Sequence, residues 1–394
     1  MKRAIVFSGG GSKGSYEIGV WKATKALNMH FDIVTGTSIG AINGALFVMG
    51  KYTKAKRLWY KMTTEDLFSS SNMKDMAKEI ATNKGLKFDK ATSFLNSILD
   101  ENKIRKSKID FGIVTVNLKK KVPKLITKDE IPRGQLVDYV IASATCFPAV
   151  EKKEIDGEYF VDGGYYDNMP IDLAVKMGAT EILAVDLSAL GKHKYNKKDN
   201  VKVDIIKCKD NTLFTLDFGY EASKRNIKLG YNDTMKYFNK LDGDKFTFKK
   251  GSISKNYKKI KMDFIYHINE LVTNSKKSIV KNKIFEITRY NKLLLDINND
   301  KSLEKYMLEY IEYLGKVFLL DNTIIYDINK YNRMILNSMK DNNIKYDTNL
   351  KGKILINYIY NKYRENRNTS EIFNLAILFP KEFLATLYLV VNTK

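Results

Sequence analysis

The stretch "FDIVTGTSIGAINGALF", residues 31–47, joins a strand pattern to a helix pattern through a turn of small residues. Its first eight residues are typical of a short buried strand, and residues 39–49 of a helix of mostly small apolar residues. Gly36 and Gly40 stand two positions on either side of Ser38. A sharp strand-to-helix turn with this spacing lifts a serine hydroxyl above the end of a sheet, where bulkier neighbours would collide. Ser38 is therefore a candidate nucleophile, although the same spacing also occurs in ordinary turns.

The rest of the first half alternates strand and helix patterns in the same way. Further strand patterns cover residues 3–8, 109–118, 158–162 and 181–188, and further helix patterns cover 16–27, 136–145 and 170–178. Strands that alternate with helices predict a mainly parallel sheet covered by helices on both faces. Residues 52–102 are charged and helical without a strand-like run, and we expect a cap-like insertion there.

Beyond residue 240 the pattern changes. Residues 240–255 are rich in Gly, Ser, Asp and Lys, and strand patterns are scarce after them. The stretch "SLEKYMLEYIEYLGKVFLL", residues 302–320, places its apolar side chains on one helical face. We therefore predict one domain over residues 1–240 and a separate, mostly α-helical domain over 255–394 that carries no recognisable chemistry.

The 394-residue chain has a formal net charge of +22. This excess is spread along the sequence, with +10 in residues 241–394 and +12 in the remainder. No basic arm or stripe predicts a specific nucleic-acid partner, whereas a cationic surface attracts anionic lipid headgroups non-specifically. Two cysteines are too few for a disulfide framework, which favours a reducing compartment.

Targeting signals are not evident. The apolar run after the first residues is shorter than the roughly 7 to 15 residues of a secretory signal. The most apolar stretch, residues 372–391, is interrupted by Asn374, Pro380, Lys381 and Glu382. A spanning helix needs about 20 mostly apolar residues, so we predict one or two core helices here. A cytoplasmic location is expected, with peripheral contact at the inner face of an anionic membrane as an open alternative.

The glycine cluster "SGGGSKGS" comes directly after a strand pattern and before a helix pattern. Gly9, Gly11 and Gly14 fit the spacing of a dinucleotide-binding turn, but that fold needs an acid at the end of the second strand. Asp32 opens that strand instead. A phosphate loop is also excluded, because no Gly-Lys-Ser/Thr follows. Consecutive backbone amides near a helix N-terminus can hold a negative charge, such as the oxyanion of an acyl-transfer intermediate.

A serine nucleophile needs a base, and no histidine takes the position of one. His30 precedes the second strand, His193 lies in a lysine-rich loop, and His267 lies in the helical domain. Ordinary surface or packing roles are favoured for all three.

A carboxylate is the remaining candidate for the base. In "EYFVDGGYYDNMP", Asp162 ends a strand pattern and precedes Gly163 and Gly164, which permit close backbone approach. An Asp-Gly-Gly segment alone is usually a turn. An aspartate that accepts the Ser38 proton would be a two-residue version of the catalytic triad.

Taken together, these motifs resemble those of the patatin-like phospholipase family, in its bacterial form. The family's glycine motif, serine elbow and aspartate motif correspond in order to Gly9, Gly10, Gly11, Lys13 and Gly14, to Gly36, Ser38 and Gly40, and to Asp162, Gly163 and Gly164. The segments "ASATCFPAV" and "DNMPIDLAVKMGA" resemble the blocks before and after the aspartate. The resemblance covers residues 1–240.

This resemblance implies a three-layer α/β/α domain that hydrolyses fatty-acyl esters of phospholipid or other lipids, as a phospholipase A or lysophospholipase does. Ser38 would be the nucleophile of an acyl-serine intermediate, Asp162 the general base and the glycine loop the oxyanion hole, with no metal or cofactor. The alternative is a catalytically inactive relative that binds lipid or membrane. Substrate, positional specificity and oligomeric state are left open.

Overall fold

The computed structural model describes residues 1–63, 86, 88–195, 200–209, 218–275, 300–340, 350–367 and 369–393. It divides into two compact units, Met1–Tyr237 and Phe238–Lys394. The first unit contains β1 (Lys2–Phe7), α1 (Ser15–Ala26), β2 (Ile33–Thr37), α2 (Ile39–Val48), α3 (Tyr52–Lys61), α4 (Asp89–Ile98), α5 (Glu101–Lys106), β3 (Asp110–Asn117), β4 (Val122–Thr127), α6 (Leu136–Ser143), β5 (Lys153–Ile155), β6 (Glu158–Asp162), α7 (Ile171–Lys176), β7 (Ala179–Asp186), β8 (Lys202–Lys207) and α8 (Tyr220–Tyr237), with 3-10 turns at Gly11–Gly14 and Gly163–Tyr165.

The first unit is built on one mixed sheet. Its strand order is β5-β6-β3-β2-β1-β7-β8, and β4 also pairs with β3. The five strands from β3 to β8 in this order are parallel, whereas β4, β5 and β6 join antiparallel at one edge. The predicted mainly parallel sheet is confirmed, but β4, β5 and β8 were not predicted as strands.

Helices cover both faces of this sheet. Alternate residues of β1 point to opposite faces, so Ala4 and Val6 join the cluster that includes Ile171 and Ala174 of α7. On the other face, Phe7 packs against Phe47 of α2, with ring centroids 5.8 Å apart. Because both faces are buried, β1 and β2 are continuous apolar runs rather than alternating patterns. The three-layer α/β/α arrangement is thereby confirmed.

The second unit is mostly helical. Its elements are β9 (Leu241–Asp242), β10 (Thr247–Lys249), α9 (Ser252–Ser275), α10 (Asp300–Val317), β11 (Ile325–Tyr326), α11 (Ile328–Lys340), α12 (Leu350–Glu365), α13 (Ser370–Leu378) and α14 (Pro380–Asn392). The short strands form a three-stranded sheet in the order β11-β10-β9. The helical character is confirmed, while the domain bounds 1–240 and 255–394 stay predictions.

Two helices, α13 and α14, occupy the most apolar stretch of the sequence. Pro380 opens α14 at a position where its missing N–H breaks no helical bond. Much of α14 is buried in the core of the second unit, which confirms the prediction of core helices. In the described part of the chain, no single helix has the length and apolar character of a membrane span. Helices α13 and α14 reach that length and apolar character only when they are taken together, and the chain bends by 119° between them.

The predicted insertion at residues 52–102 is described in part. Helices α3 and α4 lie within it, and α5 begins in it. Residues 64–85 and 87 lie outside the described residues. The cap-like role of this segment therefore stays a prediction.

Candidate active site

Two strands end against the middle of β3 from opposite directions. Parallel β2 ends at Thr37, which faces Val114, and antiparallel β6 ends at Asp162, which faces Thr115. Strand β4 pairs with β3 over residues 112–117 and so occupies its other side. Strands β2 and β6 therefore share one side of β3 and meet end to end. Consequently, the residue after Thr37 lies beside Asp162.

That residue, Ser38, has an unusual backbone conformation, with φ 58° and ψ −129°. A non-glycine residue held at such angles stores about 1–3 kcal/mol, and the surrounding structure must impose it. The Ser38 N–H donates to Ser143 Oγ at 3.0 Å, and Ser143 Oγ donates to the Val114 carbonyl at 2.6 Å. Ser143 therefore fixes the serine turn. Sequence reasoning did not single out Ser143, although it lies in the segment "ASATCFPAV".

The two glycines around Ser38 are required by close backbone contacts. A Cβ atom at Gly36 would lie 2.3 Å from the Gly40 carbonyl oxygen, and one at Gly40 would lie 2.4 Å from the Phe7 carbonyl oxygen. Both separations are far below a van der Waals contact. Strand β1, strand β2 and helix α2 can meet this closely only because both positions lack a side chain.

Asp162 is a buried carboxylate in direct contact with the candidate nucleophile. Its side chain is hydrogen-bonded to the Ser38 side chain and accepts the Gly164 N–H on Oδ1 at 2.7 Å. Burial raises the pKa of Asp162 to about 6, although both of these hydrogen bonds act to lower it. The carboxylate is thus ionised at neutral pH and is a stronger base than an exposed aspartate.

The glycine loop that follows β1 lies against Ser38. The Gly9 N–H donates to the Asn168 carbonyl at 3.0 Å, and Asn168 Nδ2 donates to the Gly9 carbonyl at 3.2 Å. A Cβ atom at Gly9 would lie 3.0 Å from Ser38 Cβ. Asn168 therefore joins the loop after β1 to the segment after β6. Its position in "DNMPIDLAVKMGA" was the available signal, but its role was not predicted.

The other residues of the loop are arranged around the start of α1. Among the residues that the structure describes, neither the Gly10 amide nor the Gly11 amide has a hydrogen-bond partner. The half-buried Lys13 donates its backbone N–H to the Gly10 carbonyl at 3.2 Å. At Gly14, a Cβ atom would lie 2.6 Å from Ile39 Cγ1, so this glycine allows the loop to approach α2.

A buried network of polar side chains holds the end of the glycine loop at Gly14. Asn43 of α2 donates through Nδ2 to the Gly14 carbonyl at 2.9 Å and to Glu17 Oε2 at 2.8 Å. Trp59 Nε1 donates to Asn43 Oδ1 at 3.0 Å. Burial raises the pKa of Glu17 well above its usual range, although the hydrogen bond from Asn43 acts to lower it. The network links α1, α2 and α3, and no sequence signal pointed to it.

Other residues that the sequence analysis considered as cofactor-binding or catalytic groups lie away from Ser38 and Asp162. Asp32 accepts the backbone N–H of Arg3 at 2.8 Å, at the amino end of β1 and opposite the glycine loop. His30 is exposed at the same edge. His267 lies in the second unit, with Nδ1 3.0 Å from the Tyr363 hydroxyl. The dinucleotide interpretation, and a base role for His30 or His267, therefore gain no support.

Replacing Gly163 with alanine is expected to lower the free energy of unfolding by about 1–3 kcal/mol. The added Cβ would lie 2.2 Å from the Val114 carbonyl oxygen of β3 and 2.9 Å from Thr37 Cγ2 of β2, and would force the end of β6 away from both strands. Urea denaturation followed by circular dichroism measures the loss. Gly352→Ala is the control, because its Cβ would meet only Val317 side-chain atoms, at 3.3 Å and beyond. Equal midpoints for the two variants would contradict the packing argument.

Residues 5–175 match the family model described as patatin-like phospholipase. Patatin-like phospholipase domain-containing protein 7 of Rattus norvegicus is 30% identical over 192 residues, which cover 47% of this chain and 14% of that protein. Patatin-like phospholipase domain-containing protein 6 of Homo sapiens is 31% identical over 194 residues, covering 47% and 13%. Lysophospholipase nte1 of Aspergillus terreus is 29% identical over 192 residues, covering 47% and 12%.

Among solved structures, VipD from Legionella pneumophila superposes with a TM-score of 0.38 and 15% identity, over 98% of this chain and 90% of that chain. The family resemblance is confirmed for residues 5–175, which include both Ser38 and Asp162. The chain spans less than a sixth of the length of the curated relatives described above. These relatives are eukaryotic, so a bacterial origin stays a prediction.

Proposed function

We propose that this chain, whose residues 5–175 form a patatin-like phospholipase domain, hydrolyses fatty-acyl esters of lipids as a phospholipase A or lysophospholipase does. The observation that carries the proposal is the hydrogen bond between Ser38 and the buried Asp162 beside the glycine loop. The match to a lysophospholipase supports the same reaction class. A cytoplasmic location and contact with anionic membranes stay predictions.

In the first chemical step, Asp162 accepts the proton of the Ser38 hydroxyl as the Ser38 oxygen attacks the ester carbonyl carbon. A general base works best when its pKa lies near the working pH. A buried carboxylate with a pKa of about 6 is closer to this condition than an exposed aspartate. The geometry at the ends of β2 and β6 supports this direct transfer, because it needs no third residue.

The negative charge on the carbonyl oxygen is assigned to the amides of Gly10 and Gly11. The Gly9 amide already donates to Asn168, so we assign Gly9 to holding the loop and not to the oxyanion. Removing one such donor in a related kind of site costs roughly 3–4 kcal/mol of transition-state stabilisation. The N-terminus of α1 and the Lys13 ammonium group add positive potential.

Three further proton transfers through the same carboxyl group complete the reaction. Asp162 returns the proton to the leaving alcohol, which gives an acyl-serine. It then takes a proton from water as the water oxygen attacks the acyl carbon. The tetrahedral intermediate collapses as the bond between the acyl carbon and the Ser38 oxygen breaks. Asp162 gives its proton to the Ser38 oxygen, and the fatty acid leaves.

The proposed function is tested by fatty-acid release from phospholipid vesicles that contain anionic lipid, with a lysophospholipid and a water-soluble ester as parallel substrates. We expect release from at least one of the three. Binding to vesicles without release from any substrate would favour the inactive lipid-binding relative.

The pH dependence should report the raised pKa of Asp162. On a neutral, water-soluble ester, kcat/KM is expected to fall about tenfold per pH unit below pH 6 and to be level above it, because only the ionised carboxylate accepts the proton. Circular dichroism at each pH separates this effect from unfolding. An inflection near pH 4, where an ordinary aspartate titrates, would contradict a buried base.

A further inference from the structure

A short basic segment runs alongside the aspartate motif. This segment, residues 191–194 with the sequence Gly-Lys-His-Lys, is here named the basic strap. The Lys192 N–H donates to the Gly164 carbonyl at 3.1 Å, and the Asn168 N–H donates to the Lys192 carbonyl at 2.6 Å. Gly164 in turn donates its N–H to Asp162. A single residue, Gly164, therefore connects the Lys192 backbone to the candidate base Asp162.

The strap is held at each end as well as in its middle. A Cβ atom at Gly191, which has φ +155°, would lie 2.6 Å from Asn168 Cβ, so the close approach requires glycine. The Lys194 backbone donates a hydrogen bond to the buried Asp167 carboxylate. Lys194 Nζ lies 3.8 Å from the centroid of the Tyr166 ring, a cation–π contact. The backbone of the strap is thus fixed relative to Ser38.

The strap carries positive charge at the rim of the site. Lys192, His193 and Lys194 are all exposed. Within the described ranges, Lys192 has no carboxylate at ion-pair distance. A lysine ammonium group at the rim of an ester-cleaving site can bind the phosphate of a charged ligand through charge-assisted hydrogen bonds.

We propose that the basic strap, through Lys192, binds the phosphodiester of the lipid whose ester Ser38 attacks, and so selects phospholipids over neutral glycerides. This inference rests on the proposed function, since it names the group that sets specificity at the same site. The phosphodiester and the scissile ester of such a lipid are separated by one glycerol unit. A cation at the rim of the site and a nucleophile at its base can therefore engage one molecule together.

The test compares two substrates that differ only in the headgroup. A short-chain lysophosphatidylcholine and the monoacylglycerol with the same acyl chain are used as monomers, below their micelle concentrations. In Lys192→Glu, the ratio of kcat/KM for the phospholipid to that for the glyceride is expected to fall about tenfold or more, equivalent to about 1.4 kcal/mol of lost interaction. Lys192→Gln should lower the ratio less, because it removes charge without adding repulsion.

A matched control is Lys108→Glu, which makes the same change of charge. Lys108 is exposed and lies just before β3, at the amino edge of the sheet. Its substitution should leave the ratio unchanged. An equal fall in both substrates for Lys192→Glu, or an equal fall of the ratio in both variants, would overturn the proposal. The first would mean a packing role and the second a general effect of net charge.

A binding measurement makes the test independent of turnover. In a Ser38→Ala background, calorimetry should show that Lys192→Glu weakens binding of the lysophospholipid about tenfold but not of the monoacylglycerol. This result is expected even if the chain lacks hydrolytic activity. If Lys192 affects binding of inorganic phosphate but not of the lysophospholipid, the strap serves a free anion and the headgroup assignment is wrong. A loss seen only with vesicles would assign Lys192 to membrane docking and would equally overturn it.

Discussion

Replacing Ser38 with alanine is expected to reduce ester hydrolysis by at least about 10⁴-fold, to the background rate. The oxygen of Ser38 forms the covalent bond to the acyl group, and neither the glycine loop nor Asp162 can take its place. The fold should survive, because Ser143 and Val114 hold the turn through the Ser38 backbone N–H and not through its hydroxyl. Fatty-acid release and denaturation midpoints are measured on the same preparation.

Ser188→Ala provides a matched control for this variant. Ser188 is also a serine with a positive φ, 51°, and it follows β7 at the same edge of the sheet. It is exposed and is not in contact with Asp162 in the part of the chain that the structure describes. We expect this control to keep its activity. Substantial hydrolysis by Ser38→Ala would mean that another residue is the nucleophile.

Replacing Asp162 with asparagine is expected to reduce hydrolysis by about 10⁴-fold while making the protein more stable at pH 8. Asparagine cannot accept the Ser38 proton, but its oxygen can still accept the Gly164 N–H. Both changes come from removing the same buried charge. Burial of the ionised carboxylate makes Asp162 a stronger base, and it also costs folding energy.

The sign of the stability change follows from the direction of the pKa shift. The folded protein binds the Asp162 proton with a pKa of about 6, above the ordinary aspartate value of 3.8. The stabilisation linked to this proton is complete below about pH 4 and is lost as the pH rises through 6. At pH 8 the free energy of unfolding of the asparagine variant should therefore exceed that of the native protein by about 3 kcal/mol. Urea denaturation at pH 8 and pH 4 measures the difference.

The low-pH measurement is the internal control for the asparagine variant. At pH 4 the native carboxyl group is itself protonated, so the stability difference should nearly vanish. A difference of equal size at both pH values would assign the gain to packing. Retained hydrolysis by a folded Asp162→Asn protein would reject the two-residue mechanism.

The sequence by itself determined the fold class and the three motifs of the candidate site. The motifs are visible along the chain because each includes positions at which a side chain must be absent. Gly36 and Gly40 are needed by the turn around Ser38, and Gly163 by the end of β6. Contacts of this kind fix residue types at fixed spacings and so leave a pattern that can be read along the chain. Continuous apolar runs such as β1 and β2 likewise reveal a sheet buried on both faces.

Only the tertiary structure decided how these motifs meet and which residues hold them. Ser38 bonds to Ser143, 105 positions away, and Gly9 bonds to Asn168, 159 positions away. The antiparallel direction of β6, which brings Asp162 to the end of β2, is a property of its pairing with β3. Hydrogen bonds and strand pairings between distant segments impose no spacing on the sequence. Their partners become visible only when the chain is folded, and the same holds for Lys192 of the basic strap.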